Sequence, residues 1–134
     1  MDRPPLRLVP ADRLRPHEEV SAAAVAALAR TLSSEGFVRR AIVADETTLV
    51  VLDGHHRLHA LRSLGCRRVP VLLVDYLRSP IELSTWRKNE RAPTKEEVLE
   101  HGLKAALYPE KTTRHRFPWK LEEERVPLSD LLAP

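Results

Sequence analysis

Two stretches in the first half of the chain place apolar residues at the three- and four-residue spacing of an amphipathic helix. The first lies between Ser21, a favourable N-cap, and Gly36, which readily takes the left-handed conformation that ends helices. The second begins near His55, directly after an apolar run, and ends at Gly65. The pattern therefore predicts two helices separated by extended structure.

A third helix is predicted in the second half of the chain. Residues 94–97, Thr-Lys-Glu-Glu, form a capping box, in which the threonine and the second glutamate bond to each other's backbone N–H groups. The helix that follows ends before Pro109 and carries apolar residues at Val98, Leu99, Leu103 and Leu107. Residues 109–118 show no regular pattern, and a short Leu-rich segment follows at 128–132.

Short apolar runs predict strands at residues 6–9, 41–44, 48–52, 69–75 and 81–86. The second and third runs flank an Asp-Glu-Thr turn at 45–47, which predicts a hairpin. The run at 69–75 is almost entirely Val and Leu, which indicates burial on both faces. Because no internal repeat is present, we expect one α+β domain over residues 1–134, with a mixed β-sheet packed against helices.

The composition indicates the class of protein and its cellular compartment. The chain has 134 residues, of which 43% are hydrophobic and 31% charged, as is usual for a soluble globular protein. Cys66 is the only cysteine, so no intramolecular disulfide can form. The longest charge-free apolar stretch, residues 20–29, is far too short to span a bilayer, and charged residues interrupt the N-terminus. We expect a cytoplasmic protein with no membrane contact.

The net charge of +3 and the isoelectric point near 9.3 favour an anionic partner. The basic residues are scattered in small clusters, so charge alone does not distinguish nucleic acid from a phosphorylated small molecule.

The first candidate site is the turn formed by Asp53, Gly54, His55, His56 and Arg57, where an apolar strand meets a helix. Free backbone N–H groups and the helix dipole favour an anion there, and glycine permits close approach. Two imidazoles and a guanidinium are otherwise unfavourable at a helix N-terminus. The turn therefore predicts a phosphate site. The alternative is that Asp53 only caps the helix while both histidines face solvent.

A metal site is a second interpretation of the same helix. His55 and His59 lie four residues apart and share one face, as two metal ligands would. No further Cys or His pair lies nearby in sequence, so we predict no metal ligands among the histidines.

The second candidate site consists of Lys111, Thr112, Thr113, Arg114 and His115. Hydroxyls, cations and free backbone donors within a few residues are typical of an oxyanion receptor. The alternative is a solvated basic loop.

The third feature is the sequence Pro-His-Glu-Glu at 16–19. A carboxylate beside a histidine can act as a general base for a hydroxyl. The alternative is that the two carboxylates only favour the positive start of the first helix.

These motifs together resemble a known family. Residues 52–57, followed by Leu-Gly at 64–65 and Val-Pro-Val at 69–71, resemble the nucleotide-binding core of the ParB/sulfiredoxin superfamily. The Asp-Gly-His-His-Arg form is similar to that of the free-serine kinases, including those that feed siderophore assembly. Residues 16–19, 94–98 and 111–115 match as well, so the resemblance extends over nearly the whole chain.

The resemblance implies transfer of a phosphoryl group from ATP or ADP to the hydroxyl of L-serine, giving O-phospho-L-serine. Residues 53–57 would hold the nucleotide phosphates and Mg²⁺ within a nucleotide-binding core at about 6–76. Glu18 would take the proton of the serine hydroxyl, with Asp53 as the second catalytic residue, and Glu19 stays an alternative base.

The part at about 77–134 would bind serine. By the same resemblance, residues 111–115 would hold the amino acid or the product phosphate, and Trp86 would form a wall of that pocket. The chain is shorter than such kinases between 76 and 94, which would loosen specificity for serine. Cys66 lies beyond the turn inside which sulfiredoxins need their cysteine, which argues against sulfinic-acid repair.

The competing interpretation is a ParB-like nucleotide-binding regulator or DNA-partition module. Only one long helix is predicted after Tyr76, without the helix pair that reads DNA, so we expect no nucleic-acid partner. A third interpretation is a phosphotransferase for another hydroxyl. The sequence leaves the donor nucleotide and the oligomeric state open.

Overall fold

Within residues 2–133, the part of the chain that the computed structural model describes, there are four α-helices and eight β-strands. In chain order they are β1 (Leu6–Pro10), α1 (Ala22–Glu35), β2 (Phe37–Val38), β3 (Ile42–Asp45), β4 (Val51–Asp53), α2 (His55–Ser63), β5 (Arg68–Val74), β6 (Glu82–Ser84), α3 (Lys95–Leu103), β7 (Arg114–Arg116), β8 (Val126–Pro127) and α4 (Leu128–Leu132).

The central sheet is mixed and has the strand order β1-β5-β3-β4. β5 runs antiparallel to β1 and parallel to β3, while β3 and β4 form an antiparallel hairpin. The hairpin predicted from the sequence is confirmed, although its second strand extends to Asp53. The α2 helix therefore starts directly at the edge of the sheet.

Both faces of the sheet are covered. The buried side chains on the face of α1, α2 and α4 include Ile42, Val51, Leu58, Leu61, Val71 and Leu131. Those on the face of α3 include Val43, Leu52, Leu72, Tyr76, Val98 and Trp119. Successive residues of β5 point to opposite faces, so its continuous Val/Leu run is explained by two apolar layers.

The predicted helix ends are confirmed by their caps. Ser21 Oγ accepts the N–H of Ala24 at 3.2 Å, and Gly36 ends α1 with φ of +82°. Thr94 and Glu97 form the full capping box at the start of α3.

The prediction that α3 continues to Pro109 is wrong. The helix ends at Leu103, and Ala105 takes a left-handed conformation with φ of +54°. The backbone of Tyr108 is instead occupied by the segment before α1: its N–H donates to His17 O, and its carbonyl accepts from Glu19 N, both at 2.8 Å. Backbone pairing with a distant segment thus ends the helix earlier than the spacing of its apolar residues predicts. As a result, Leu103 and Leu107 are exposed.

Gly102 allows the last turn of α3 to lie against the sheet. A Cβ atom at this position would lie 2.7 Å from both Cγ atoms of Val50. The absence of a side chain therefore sets how closely the helix approaches.

Residues 109–118, predicted to be irregular, contain a strand. β7 pairs with β6 in antiparallel orientation, with His115 opposite Leu83. The pairing of β2 with β8 was also not predicted, because both strands have only two residues. The β6–β7 pair matters for function, since it places Trp86 beside the segment that begins at Lys111.

None of the helices in residues 2–133 combines the length and the hydropathy needed to cross a membrane.

Candidate functional site

A cavity of about 300 Å³ brings three distant segments of the chain together. It is lined by Glu18, Glu19, Leu28, Leu52, Asp53, Gly54, His55, His56, Arg57, Trp86, Glu110, Lys111 and Thr113. The turn at 53–57 and the segment at 111–113 thus lie on the same cavity, together with both carboxylates of the Pro-His-Glu-Glu sequence.

Gly54 shapes the turn at the start of α2. It is the N-cap residue and has φ of +99°, a conformation that other residues adopt at a cost. A Cβ atom there would lie 2.9 Å from Arg57 Nη1 and 3.1 Å from Ile42 Cγ1. Because glycine has no side chain to cap the helix, the first N–H groups of α2 are left for a ligand.

Arg57 is the cation of this turn. The residue is partly buried, and its Nη1 donates to Ala41 O at 3.4 Å. Desolvation lowers the pKa of its guanidinium, with the nearby Asp53 acting in the opposite direction. None of the ion pairs found in residues 2–133 involves Arg57. A guanidinium in this setting favours an anionic ligand.

The two histidines of the turn accept backbone N–H groups of the segment before α1. His55 Nε2 accepts the backbone N–H of His17, and His56 Nε2 accepts that of Ser21, both at 3.1 Å. His55 is also buried, and desolvation lowers its pKa well below the ordinary value. The expectation of two imidazole cations facing an anion is therefore wrong for His55, as is the alternative that it faces solvent. The rings tie the segment before α1 to the start of α2.

Across residues 2–133, no group of three or more His, Cys, Asp or Glu side chains is arranged to hold a metal ion.

Glu18 is held by the opposite wall of the cavity. Its Oε1 accepts the N–H of Lys111 at 2.8 Å, and its Oε2 accepts the N–H of Thr113 at 3.0 Å and the Thr113 hydroxyl. Lys111 has φ of +62°, which helps to aim these N–H groups at one carboxylate. Glu19 is exposed in the same cavity. Of the two candidates, Glu18 is the one with a fixed orientation.

His17 lies behind Glu18 and is fully buried, a placement that the sequence did not indicate. Its Nδ1 lies 2.7 Å from Val51 O, and its Nε2 lies 3.1 Å from Thr113 Oγ1. Desolvation lowers the pKa of His17 to about 4. The ring is therefore neutral at neutral pH.

The remaining residues of the 111–115 segment are placed unevenly. Thr112, Arg114 and His115 are not among the residues that line the cavity. Thr112 Oγ1 donates to Pro109 O at 2.6 Å, which holds the loop. His115 Nε2 lies 2.7 Å from the Tyr76 hydroxyl, and desolvation lowers the pKa of His115 to about 3.

Arg114 does not line the cavity itself but stacks on Trp86, which does. The guanidinium lies over the Trp86 ring, 4.1 Å from its centroid, and the ring itself lines the cavity and is 57% exposed. This cation–π contact combines a flat apolar surface with a positive charge. Leu28 and Leu52 provide a further apolar wall, of which Leu28 was not expected at the site from the sequence.

The fold and the cavity together define a small α+β domain in which a glycine turn at a helix N-terminus lines a cavity. The profile of the ParB N-terminal domain family matches residues 4–85, and the chain belongs to this family.

Curated relatives extend the comparison. The chain is similar to an ATP-dependent L-serine kinase of Staphylothermus marinus, with 35% identity over 83 residues, covering 59% of this chain and 33% of that protein. It is also similar to an ATP-dependent L-serine kinase of Desulfurococcus mucosus, with 32% identity over 106 residues, covering 74% of this chain and 42% of that protein. The chain thus spans a third to two fifths of the length of these relatives.

The solved structures include a free serine kinase in complex with AMP. It superposes with a TM-score of 0.88 at 17% identity, covering 98% of this chain and 95% of that one. The predicted α+β fold with a mixed sheet is confirmed, and its ParB-like character is supported by the family match.

Proposed function

We propose that the protein is a kinase that transfers a phosphoryl group from ATP or ADP to the hydroxyl of free L-serine, giving O-phospho-L-serine. The observation that carries the proposal is that one cavity has an anion-binding helix start on one side and a fixed carboxylate, Glu18, on the other. The family and the similarity to L-serine kinases support the same activity.

The donor nucleotide would bind at the start of α2. The free N–H groups of its first turn and the Arg57 guanidinium would bind phosphate oxygens. Leu28 and Leu52 would contact the less polar part of the nucleotide.

The donor set of the cavity fits Mg²⁺. Asp53 lines the cavity, and carboxylate oxygens are the ligands that Mg²⁺ prefers, alongside phosphates. The Nε2 atoms of His55 and His56 already accept backbone N–H groups. Asp53 would therefore hold the ion, which when bound neutralises charge on the phosphates.

Glu18 would act as the general base. The serine O–H bond breaks and its proton goes to the Glu18 carboxylate, while the serine oxygen bonds to phosphorus and the bond from phosphorus to the nucleotide oxygen breaks. The two backbone N–H groups that bind Glu18 fix the orientation of its carboxylate. The side chain therefore loses little conformational freedom when the reaction takes place.

The amino acid would lie between Trp86 and the 111–113 segment. Arg114, stacked on Trp86, would attract the serine carboxylate. Lys111 and Thr113 line the same region, whereas Thr112 and His115 would act by holding the loop.

Incubation of the protein with Mg²⁺, L-serine and either ATP or ADP tests the proposal. Phosphorus NMR should show O-phosphoserine and the dephosphorylated nucleotide in equal amounts. Nucleotide binding without phosphoserine from either donor would instead identify a nucleotide-binding regulator of the ParB type. L-Threonine and L-homoserine as acceptors would test how strict the recognition of serine is.

A further inference from the structure

Three buried residues at the cavity, His17, Thr113 and Glu18, are connected by a chain of hydrogen-bond contacts. The chain runs from Val51 O to His17 Nδ1 at 2.7 Å, from His17 Nε2 to Thr113 Oγ1 at 3.1 Å, and from Thr113 Oγ1 to Glu18 Oε2. The N–H of Thr113 adds a second hydrogen bond to Glu18 Oε2. His17, Thr113 and Glu18 are all buried. Water therefore has little access to these atoms, and the groups must satisfy one another.

Counting hydrogens shows that this chain is incomplete when Glu18 is ionised. Val51 O can only accept, so His17 Nδ1 carries the hydrogen and the Nε2 atom of the neutral ring is an acceptor. The Thr113 hydroxyl has one hydrogen and faces two acceptors, His17 Nε2 and Glu18 Oε2. Three contacts share two hydrogens, so one contact lacks a donor.

A proton taken up by Glu18 Oε1, which accepts a single N–H, lets the Thr113 hydroxyl turn to His17. The neutral carboxyl group is a weaker acceptor than the carboxylate, and its Oε2 keeps the N–H of Thr113 as a donor. The Thr113 hydroxyl then donates to His17 Nε2, while Nδ1–H continues to donate to Val51 O. The buried Nε2 atom thus gains the partner that it lacked.

The surroundings of His17 keep its ring neutral. The ring centroid of His55 lies 4.6 Å away, that of Tyr108 6.3 Å and that of His115 6.4 Å, and Glu18 Oε2 lies 3.6 Å from Nε2. His101 also disfavours a positive charge on His17, although desolvation is the larger cause of the lowered pKa. The count of hydrogens therefore holds at neutral pH.

We propose that His17 is a positioning residue for the base: its Nε2 atom accepts the Thr113 hydroxyl once Glu18 has taken the substrate's proton. This inference rests on the proposed kinase function. The three donors to Glu18 favour its ionised state, and the acceptor on His17 offsets part of that effect by stabilising the protonated state that forms in the transition state.

Two substitutions of His17 separate this role from a purely structural one. His17→Asn keeps a donor near the position of Nδ1, toward Val51 O, but has no atom at the position of Nε2. His17→Gln places an amide oxygen near the position of Nε2 and loses the hydrogen bond to Val51 O. The proposal expects His17→Gln to retain more kcat than His17→Asn, whereas a structural role through Val51 expects the reverse order.

The pH profile gives a second readout. In His17→Asn, the acid limb of the kcat profile should move to lower pH, and the plateau should fall roughly three- to tenfold with an unchanged KM for serine. Thr113→Val removes a donor from the ionised Glu18 and should move the acid limb to higher pH, whereas Thr113→Ser should restore wild-type behaviour. His59→Gln, on the same helix as His55 but outside this chain of contacts, serves as the control. An unshifted acid limb in both His17→Asn and Thr113→Val overturns the inference.

Nitrogen-15 NMR of histidine-labelled protein tests the premise without substrate. We expect Nδ1 of His17 to be protonated and Nε2 to be unprotonated at pH 7. A hydrogen on Nε2 at this pH overturns the inference whether or not the protein makes phosphoserine. Absence of turnover by the wild type refutes the proposed function, whereas turnover with His17→Asn faster than His17→Gln refutes this inference alone.

Discussion

The Nε2 atom of His55 accepts the backbone N–H of His17 at 3.1 Å and so joins the turn at 53–57 to the segment that carries Glu18. The hydrogen bond connects residues 38 positions apart in the chain. The side of the cavity proposed for the nucleotide and the side that carries Glu18 are therefore not independent. Variants on either side need measurements of both binding and turnover.

Replacing Arg57 with Ala should weaken nucleotide binding. A charge-assisted bidentate contact to phosphate contributes about 1.5–3 kcal/mol, so we expect a roughly 10- to 100-fold higher Kd for ADP by isothermal titration calorimetry. Arg30→Ala, an exposed arginine on α1, is the matched control and should bind as the wild type does. Equal affinity for wild type and Arg57→Ala would remove Arg57 from the phosphate site.

Replacing Glu18 with Gln should abolish turnover while nucleotide affinity stays nearly unchanged. Loss of a general base lowers kcat by roughly 10²–10⁴-fold. Glu19→Gln tests the alternative, since Glu19 lines the same cavity but is exposed. If Glu19→Gln is the inactive variant and Glu18→Gln the active one, the assignment of the base is wrong.

Gly54 and Gly36 form a matched pair for testing the turn. Both have positive φ, +99° and +82°, so alanine at either position strains the backbone by about 1–2 kcal/mol. A Cβ at residue 36 meets no atom within 4 Å, whereas at residue 54 it lies 2.9 Å from Arg57 Nη1. Gly36→Ala should lose only stability in chemical denaturation. Gly54→Ala should also lose nucleotide affinity, and equal binding by the two variants would contradict the close approach inferred here.

The free energy of unfolding should fall as the pH drops from 6.5 toward 4. His17 has its folded-state pKa lowered from 6.5 to about 4, so in this window the unfolded chain binds a proton that the folded chain does not. The loss from this residue is roughly 3 kcal/mol by pH 4. His115, whose pKa is lowered to about 3 by burial, adds to the same slope.

Urea denaturation at several pH values measures this slope. His115→Gln should make the dependence of stability on pH shallower, because glutamine takes up no proton in the unfolded state. Lys120→Gln changes an exposed charge of a type that does not titrate in this window and should leave the slope unchanged. Stability that stays constant between pH 6.5 and 4.5 would contradict neutral burial of the two histidines.

The helices and the central strands could be predicted from the sequence because local signals determine them. Ser21 and Gly36 bound α1 as expected, and the Val/Leu run of β5 has two apolar layers around it. The end of α3 could not be predicted, because it depends on the pairing of Tyr108 with the backbone of residues 17–19. No local pattern records a partner about ninety residues away.

Several residues that line the cavity could be singled out from the sequence, but their contacts could not. The turn at 53–57, Glu18, Lys111 and Thr113 do meet on one cavity. The acceptor role of the histidines could not be foreseen, because it depends on backbone N–H groups of His17 and Ser21 that come close only in the folded chain. The stacking of Arg114 on Trp86 likewise depends on the β6–β7 pair, which the irregular sequence at 109–118 did not reveal.

The backbone N–H groups that orient Glu18 belong to Lys111 and Thr113, 93 and 95 positions further along the chain. During synthesis, the helix start at residue 54 can therefore form long before the carboxylate at residue 18 has anything to hold it. A product shortened before residue 111 would lack both of these donors to Glu18. Such a product would also lack the core residues Trp119 and Leu131, so both the orientation of Glu18 and the packing on the two faces of the sheet depend on the last part of the chain to be made.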